Sequence, residues 1–414
     1  MSIPGDWNEL VPLFLERSGA APLTVDITAW VVERDKDLAQ ALLPHLPRIS
    51  KLSLCGYSFT EDPVENVLPN FFASPMPNLT SLKVELDEDS ANPTNLFPPK
   101  AVRAPQLFQN VSKLKSRHLT EIPLYPMLYD IEPLVELTLV SYTFHFQEFI
   151  GFLRSNRNLE ILDLQEISFT GIPASPAPIR WVHFPRLRRL ALDCGGAINT
   201  RALLSSLSLP RGVNIEVRQT VEDPYDLASF LPRPSTHIQD LLVPITTIKH
   251  LPSLGKLYLS GNNGSLSFDG PKLSYTDYEE LDQFATGTVR EFHLAVTNQS
   301  YRLPQVLEQL PALEALVISQ GCVSPEFLSV LAMEPVLCPS LNTIAFLDCE
   351  VTRAAADQLE EILAKRANST AARLHRIVIV NHTQDLPDRS LVSQLRNLVP
   401  RVDVIMGDQL PDLL

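Results

Sequence analysis

Residues Leu251 to Leu266 read LPSLGKLYLSGNNGSL, and the fold turns on how they are parsed. Leu254, Leu257, Leu259 and Asn262 fit LxxLxLxxN, the strand and turn of a leucine-rich repeat. Asn263-Gly264 between two alternating apolar runs is also a strong short hairpin signal. The choice depends on whether the rest of the chain keeps a repeat, and in what phase.

A repeat is kept. An apolar anchor followed by apolar residues three and five positions later recurs in PRISKLSL (Ile49, Leu52, Leu54), PNLTSLKV (Leu79, Leu82, Val84) and EPLVELTL (Leu134, Leu137, Leu139). It continues in RNLEILDL (Leu159, Leu162, Leu164), PRLRRLAL (Leu187, Leu190, Leu192) and RGVNIEV (Ile215, Val217). Beyond the middle come GTVREFHL (Val289, Phe292, Leu294), PALEALVI (Leu313, Leu316, Ile318), PSLNTIAF (Leu341, Ile344, Phe346) and ARLHRIVI (Leu374, Ile377, Ile379). Apart from the longer gaps after Leu79 and before Val289, anchor spacings run from about 24 to 33 residues, near the range of leucine-rich repeats. Between anchors, Gln147–Asn156, Pro325–Glu334 and Thr352–Arg366 place apolar residues at intervals of three and four, the period of a helix.

Strand then helix, repeated, predicts an α/β leucine-rich-repeat solenoid, a horseshoe with a parallel sheet on its concave face and helices on its convex face. One domain over residues 1–414 is expected, with an N-terminal helix and capping segment in 1–48 and repeats over 49–414. HIQDLLV (Ile238, Leu241, Val243) supplies a repeat strand, and a further repeat anchored at Leu254 would follow too closely for strand, helix and return. The opening stretch therefore reads as one inserted β-hairpin, about 254–270, pairing Leu257 and Leu259 with Leu266 and Phe268. Its apolar side is expected to lie on the helices or the rim. Cys322 and Cys349 are expected in the turn just after a strand, as buried structural residues.

Composition bounds the function. The 414 residues are 45% apolar and 20% charged, ordinary for a globular chain. No apolar run approaches a membrane span, and MSIPGDWNEL lacks the basic-then-apolar form of a secretory signal. Five scattered cysteines without a CxxC pair point to reduced thiols and an intracellular chain, in cytoplasm or nucleus. On that reading, sequons such as Asn78-Leu-Thr and Asn298-Gln-Ser are chance. A net charge of -14 disfavours nucleic acid, whose phosphates need a basic face.

No chemistry-bearing motif is present. GxxxxGK[ST], HExxH and GxSxG are absent, GNNG is not a dinucleotide fingerprint, and SKLK at Ser112–Lys115 lacks every motif that would accompany SxxK. His375 and His382, the nearest histidine pair, do not have a metal-ligand spacing. No catalytic, cofactor-binding or metal residue is assigned, no cofactor is expected, and the chain reads as a non-enzyme. The acidic run Val84–Ser90 reads as a solvated loop.

FLERSGAAPLTVDI (Phe14 to Ile27), the SGNNGSLSF insertion and TGTVREFHL resemble the leucine-rich regions of F-box-type proteins of mushroom-forming (basidiomycete) fungi. The resemblance covers most of the chain and implies substrate recognition for a ubiquitin ligase. In that family a helical F-box opening with an LP-type motif precedes the segment matching Phe14, whereas here Met1 to Leu13 stands before it. A Skp1-type adaptor is therefore expected as a partner only if an F-box exists upstream.

Surface remains as the carrier of function. With the anchor-plus-three and plus-five side chains in the core, plus-two, plus-four and plus-six face the concave side. The first half presents Lys51, Ser53, Lys83, Glu85, Glu136, Thr138, Asp163, Gln165, Arg189 and Asp193, a solvated face. The second half presents Val317, Ala345, Leu347, Val378 and Val380, bordered by Glu291, His293 and Arg376. An exposed apolar stripe rimmed by charge predicts a protein-partner site, with no nucleic acid and no membrane involved. The alternatives are a free-standing scaffold or adaptor without a ubiquitin role, and an enzyme built on concave-face residues such as Asp163 and Asp193.

Overall fold

The computed structural model describes residues 10–28, 41–57, 75–86, 115–120, 134–173, 182–218, 230, 244–251, 256–269, 286–295, 303–333, 337–351, 353–367, 373–381 and 389–406. The chain divides into two compact units, Met1–Pro210 and Arg211–Leu414. Both are α/β, and both are dominated by parallel strand pairing.

In the first unit, seven strands follow chain order. They are β1 (Leu23–Thr28), β2 (Ile49–Tyr57), β3 (Ser81–Leu86), β4 (Ser116–Thr120), β5 (Glu136–Val140), β6 (Ile161–Gln165) and β7 (Arg189–Leu192). Each neighbouring pair is parallel. The helix Phe146–Ser155 joins β5 to β6 and buries Phe146, Phe149, Ile150, Phe152 and Leu153 along one face. The helix Ala197–Ser206 follows β7.

The repeat phase explains this packing. Leu134, Leu137 and Leu139, then Leu159, Leu162 and Leu164, are wholly buried, and Leu187, Leu190 and Leu192 nearly so. Register places equivalent residues side by side, Leu137 beside Leu162 and Leu162 beside Leu190. Stacked rows of this kind let each repeat cover its neighbour's apolar face, and each buried aliphatic contributes about 1.5 to 3 kcal/mol. Two residues beyond Leu139 and Leu164 the chain turns through left-handed backbone at Ser141 (φ 59°) and Glu166 (φ 55°). The Ser141 N–H donates to the Gln165 carbonyl at 2.8 Å, tying successive turns together.

The second unit contains β8 (Val213–Arg218), β9 (Ile245–Leu251), β10 (Lys256–Gly261), β11 (Gly264–Asp269), β12 (Glu291–Ala295), β13 (Ala315–Val323), β14 (Thr343–Val351), β15 (Arg376–Asn381) and β16 (Arg401–Met406). Their order is β8-β11-β10-β9-β12-β13-β14-β15-β16, and among these described strands only β10 runs against the rest. Helices Leu303–Glu308, Pro325–Ser329, Arg353–Ala367 and Arg389–Leu398 occupy the connections from β12 onward. Ser324 caps the Pro325 helix, its hydroxyl accepting from the Phe327 N–H at 3.2 Å.

The hairpin is present with the predicted pairs, Leu257 with Phe268 and Leu259 with Leu266. Its position differs from the expectation. Instead of lying on helices or rim, it is threaded into the sheet, where β11 pairs with β8 and β10 with β9. A hairpin outside would leave both of its own outer backbone edges without ladder partners, which β8 and β9 supply within the sheet. In the sheet its alternating residues also fall in phase, giving a buried row from Ile215 through Leu266 and Leu259 to Ile248. The turn residues are Asn262 and Asn263, and Gly264 begins β11 at φ 148°. A Cβ on Gly264 would meet the Val213 carbonyl oxygen at 2.6 Å, so the close approach to β8 requires glycine.

Other expectations need correction. The N-terminal segment contains the predicted helix, Leu10–Arg17, but also β1, which the capping assignment overlooked. β4 was hidden because Arg117 stands where the pattern wants an apolar residue, in register with Leu82 and Leu137. Ile238, Leu241, Val243 and Leu254, on which the expected repeat strand and anchor fall, lie outside the described residues; β9 is described from Ile245 to Leu251. Cys322 and Cys349 sit within β13 and β14 rather than after them, because those strands continue through left-handed kinks at Gly321 (φ 84°) and Asp348 (φ 50°). Cys349 is buried and donates to the Ile318 carbonyl at 3.3 Å, whereas Cys322 is exposed.

Candidate functional site

Register brings the predicted stripe together. On one face of the second unit's sheet, Lys249, His293, Val317, Ala345, Val378 and Asp403 form a continuous row across six strands. The row on one side is Glu291, Ala315, Thr343, Arg376 and Arg401, and on the other Ala295, Ser319, Leu347, Val380 and Ile405. All eight residues expected to bind a partner thus share one surface.

The apolar centre of that surface is closed to solvent, which corrects the expected exposure. Val317, Ala345, Val378 and Val380 are 0% exposed and cluster with Ala315, while Leu347 and Ile405 pack partly buried against them. The opposite faces of these strands, with Leu316, Ile318, Ile344, Phe346, Ile377 and Ile379, are buried as well. Continuous apolar runs such as Ile377–Val380 are the sequence form of a strand covered on both sides, as parallel strands commonly are. The concave-face assignment took them for strands covered on one.

Charged groups at the rim are paired in place. His293 donates through its Nε2–H to the Glu291 carboxylate, and both side chains are largely buried. The bond from His293 holds Glu291 below the usual carboxylate range, while burial pushes His293 down despite that neighbour. At the other end Asp403 accepts from Arg376 Nε at 2.8 Å and from Arg401 Nε at 3.0 Å. Burial alone would raise Asp403, but these two guanidinium bonds outweigh it and keep the carboxyl low.

The open polar face belongs to the first unit. Asp26, Ser53, Lys83, His118, Thr138 and Asp163 stand in one register row across β1 to β6. Lys51, Glu136 and Arg189 are exposed beside it, and Ser53, Lys83, Glu85, His118, Thr138, Asp163 and Gln165 are half-buried. Glu85 gathers the centre, with Lys83 Nζ at 2.9 Å and His118 Nε2 at 3.0 Å. Burial lowers His118 against the pull of Glu85. The same burial raises Cys55, whose Sγ lies 3.3 Å from the Ser53 hydroxyl, and so disfavours the thiolate a nucleophile needs.

Among the described residues, the carboxylates Asp163 and Asp193 are not brought into one register row. Asp163 lies opposite Ala191 in β7, while Asp193 is buried beyond the end of that strand, its backbone bonded to Leu164 and Ile167. Burial pushes the Cys338 and Cys349 thiols up to about 12 and raises Cys194 as well. Among the described residues, no three or more His, Cys, Asp or Glu side chains gather as a metal ion would require. His382 of the predicted pair lies outside the described residues.

Two accessible features escaped the sequence reading. Tyr258, 36% exposed, stands on the hairpin face between Ser267 and Lys249, beside the paired charges Lys256–Asp269 and Glu216–Arg218. The alternation in KLYLSG and GSLSFD carried that signal once the hairpin was placed in the sheet. Leu10, Leu13 and Phe14 form an exposed apolar strip on the N-terminal helix, at the three-and-four spacing of one helix face. No helix among the described residues is long and apolar enough to cross a membrane. Compared with known proteins, the chain matches no family model and no curated protein sequence.

Proposed function

We propose that the chain is a leucine-rich-repeat protein-interaction module acting inside the cell, and that its role is the one its resemblance implies: substrate recognition in an F-box-like ubiquitin-ligase receptor. The observation that carries the binding role is the open polar face of the first unit, where six strands hold Asp26, Ser53, Lys83, His118, Thr138 and Asp163 in one accessible row. A broad array of donors and acceptors across six strands suits a protein surface better than a small substrate, which calls for an enclosed pocket. Support for the repeat reading comes from the in-phase burial of the anchors and from helices between strands. The full architecture proposed is a solenoid of stacked strand-and-helix repeats.

Contact by the polar face is tested with Lys51→Glu combined with Glu136→Lys, both on exposed strand residues. Partners captured from cells would be purified and their affinities measured against parent and variant. The reading expects an unchanged melt with affinity reduced at least about tenfold, which is about 1.4 kcal/mol. Equal affinities would refute this face as the contact. For the ubiquitin role, the captured partner should become ubiquitylated more slowly in cells lacking the protein; an unchanged rate would leave a scaffold or adaptor.

A further inference from the structure

We draw no further inference here: the strongest candidate, the hydroxyl-rich patch around Tyr258 that the inserted hairpin adds to the sheet face of the second unit, is an unpartnered face, and nothing in the structure shows what covers it.

Discussion

Val378 discriminates between a closed and an open sheet face. It is 0% exposed, lies between Ala345 and Asp403 in register, and is two strands from Val317. Val378→Ala removes two methyl groups, about 1.6 kcal/mol of transfer free energy at roughly 0.8 each, and the cavity left behind raises the cost to about 2 to 3 kcal/mol. Val378→Asp is worse, because the two guanidinium groups nearby already serve Asp403. An uncompensated buried charge there costs about 3 to 5 kcal/mol. In a unit of this size each kcal/mol lowers the melting temperature by about 2 to 4 °C. Val378→Ala should therefore melt about 4 to 12 °C below the parent and Val378→Asp lower still, followed by circular dichroism with Glu136→Ala as an exposed control. An exposed valine would tolerate charge within about 0.5 kcal/mol. If Val378→Asp melts within about 2 °C of the parent, the sheet face is open and the burial argument fails.

Arg366, 1% exposed, donates to the carbonyls of Leu337 at 3.3 Å, Cys338 at 3.0 Å and Leu341 at 3.1 Å. Arg366→Met should cost about 3 to 5 kcal/mol by stranding those acceptors, and Arg366→Lys should recover little because an ammonium lacks the planar fork; full recovery in chemical denaturation would count against the clamp. Gly264→Ala should destabilise by more than about 2 kcal/mol through the collision with Val213 and the left-handed backbone, and a neutral result would contradict the close approach of β8 and β11. Burial holds His293 below its ordinary value of 6.5, so the unfolded chain binds the extra proton first as pH falls. Stability should be fully present above that value and decline below it, and His293→Gln should flatten part of the melting-temperature slope between about pH 7.5 and 5.5, with His118, also lowered by burial, acting in the same direction. An unchanged slope in His293→Gln would show that this imidazole does not titrate with unfolding.

Much of the fold was legible in the chain itself, because backbone geometry makes local periodicity visible. Leu134, Leu137 and Leu139 are buried because residues two apart share a strand face, and the helix over Phe146–Ser155 follows from its three-and-four spacing. Leu257 and Leu259 pair with Phe268 and Leu266 because turn and alternation are local features. Even the grouping of Val317, Ala345 and Val378 on one face came from repeat phase alone.

Tertiary structure decided what periodicity does not encode. Whether a strand face meets water depends on what packs over it, so Val378 reads the same in sequence whether open or closed, and only the structure shows it closed. The hairpin's apolar face needed burial, but its place within the sheet depended on two backbone edges from distant residues, Val213–Arg218 and Ile245–Leu251. β4 escaped detection because hydrogen-bonding neighbours on both sides can hold a strand whose own pattern is broken at Arg117. Arg366 looks like an ordinary charge near a helix end, and its burial became intelligible only when three carbonyls, 25 to 29 residues away in the chain, converged on it. Sequence determines each segment's preference for strand, turn or helix through local sterics and apolar spacing; contacts between remote segments decide which of those surfaces remain available to a partner.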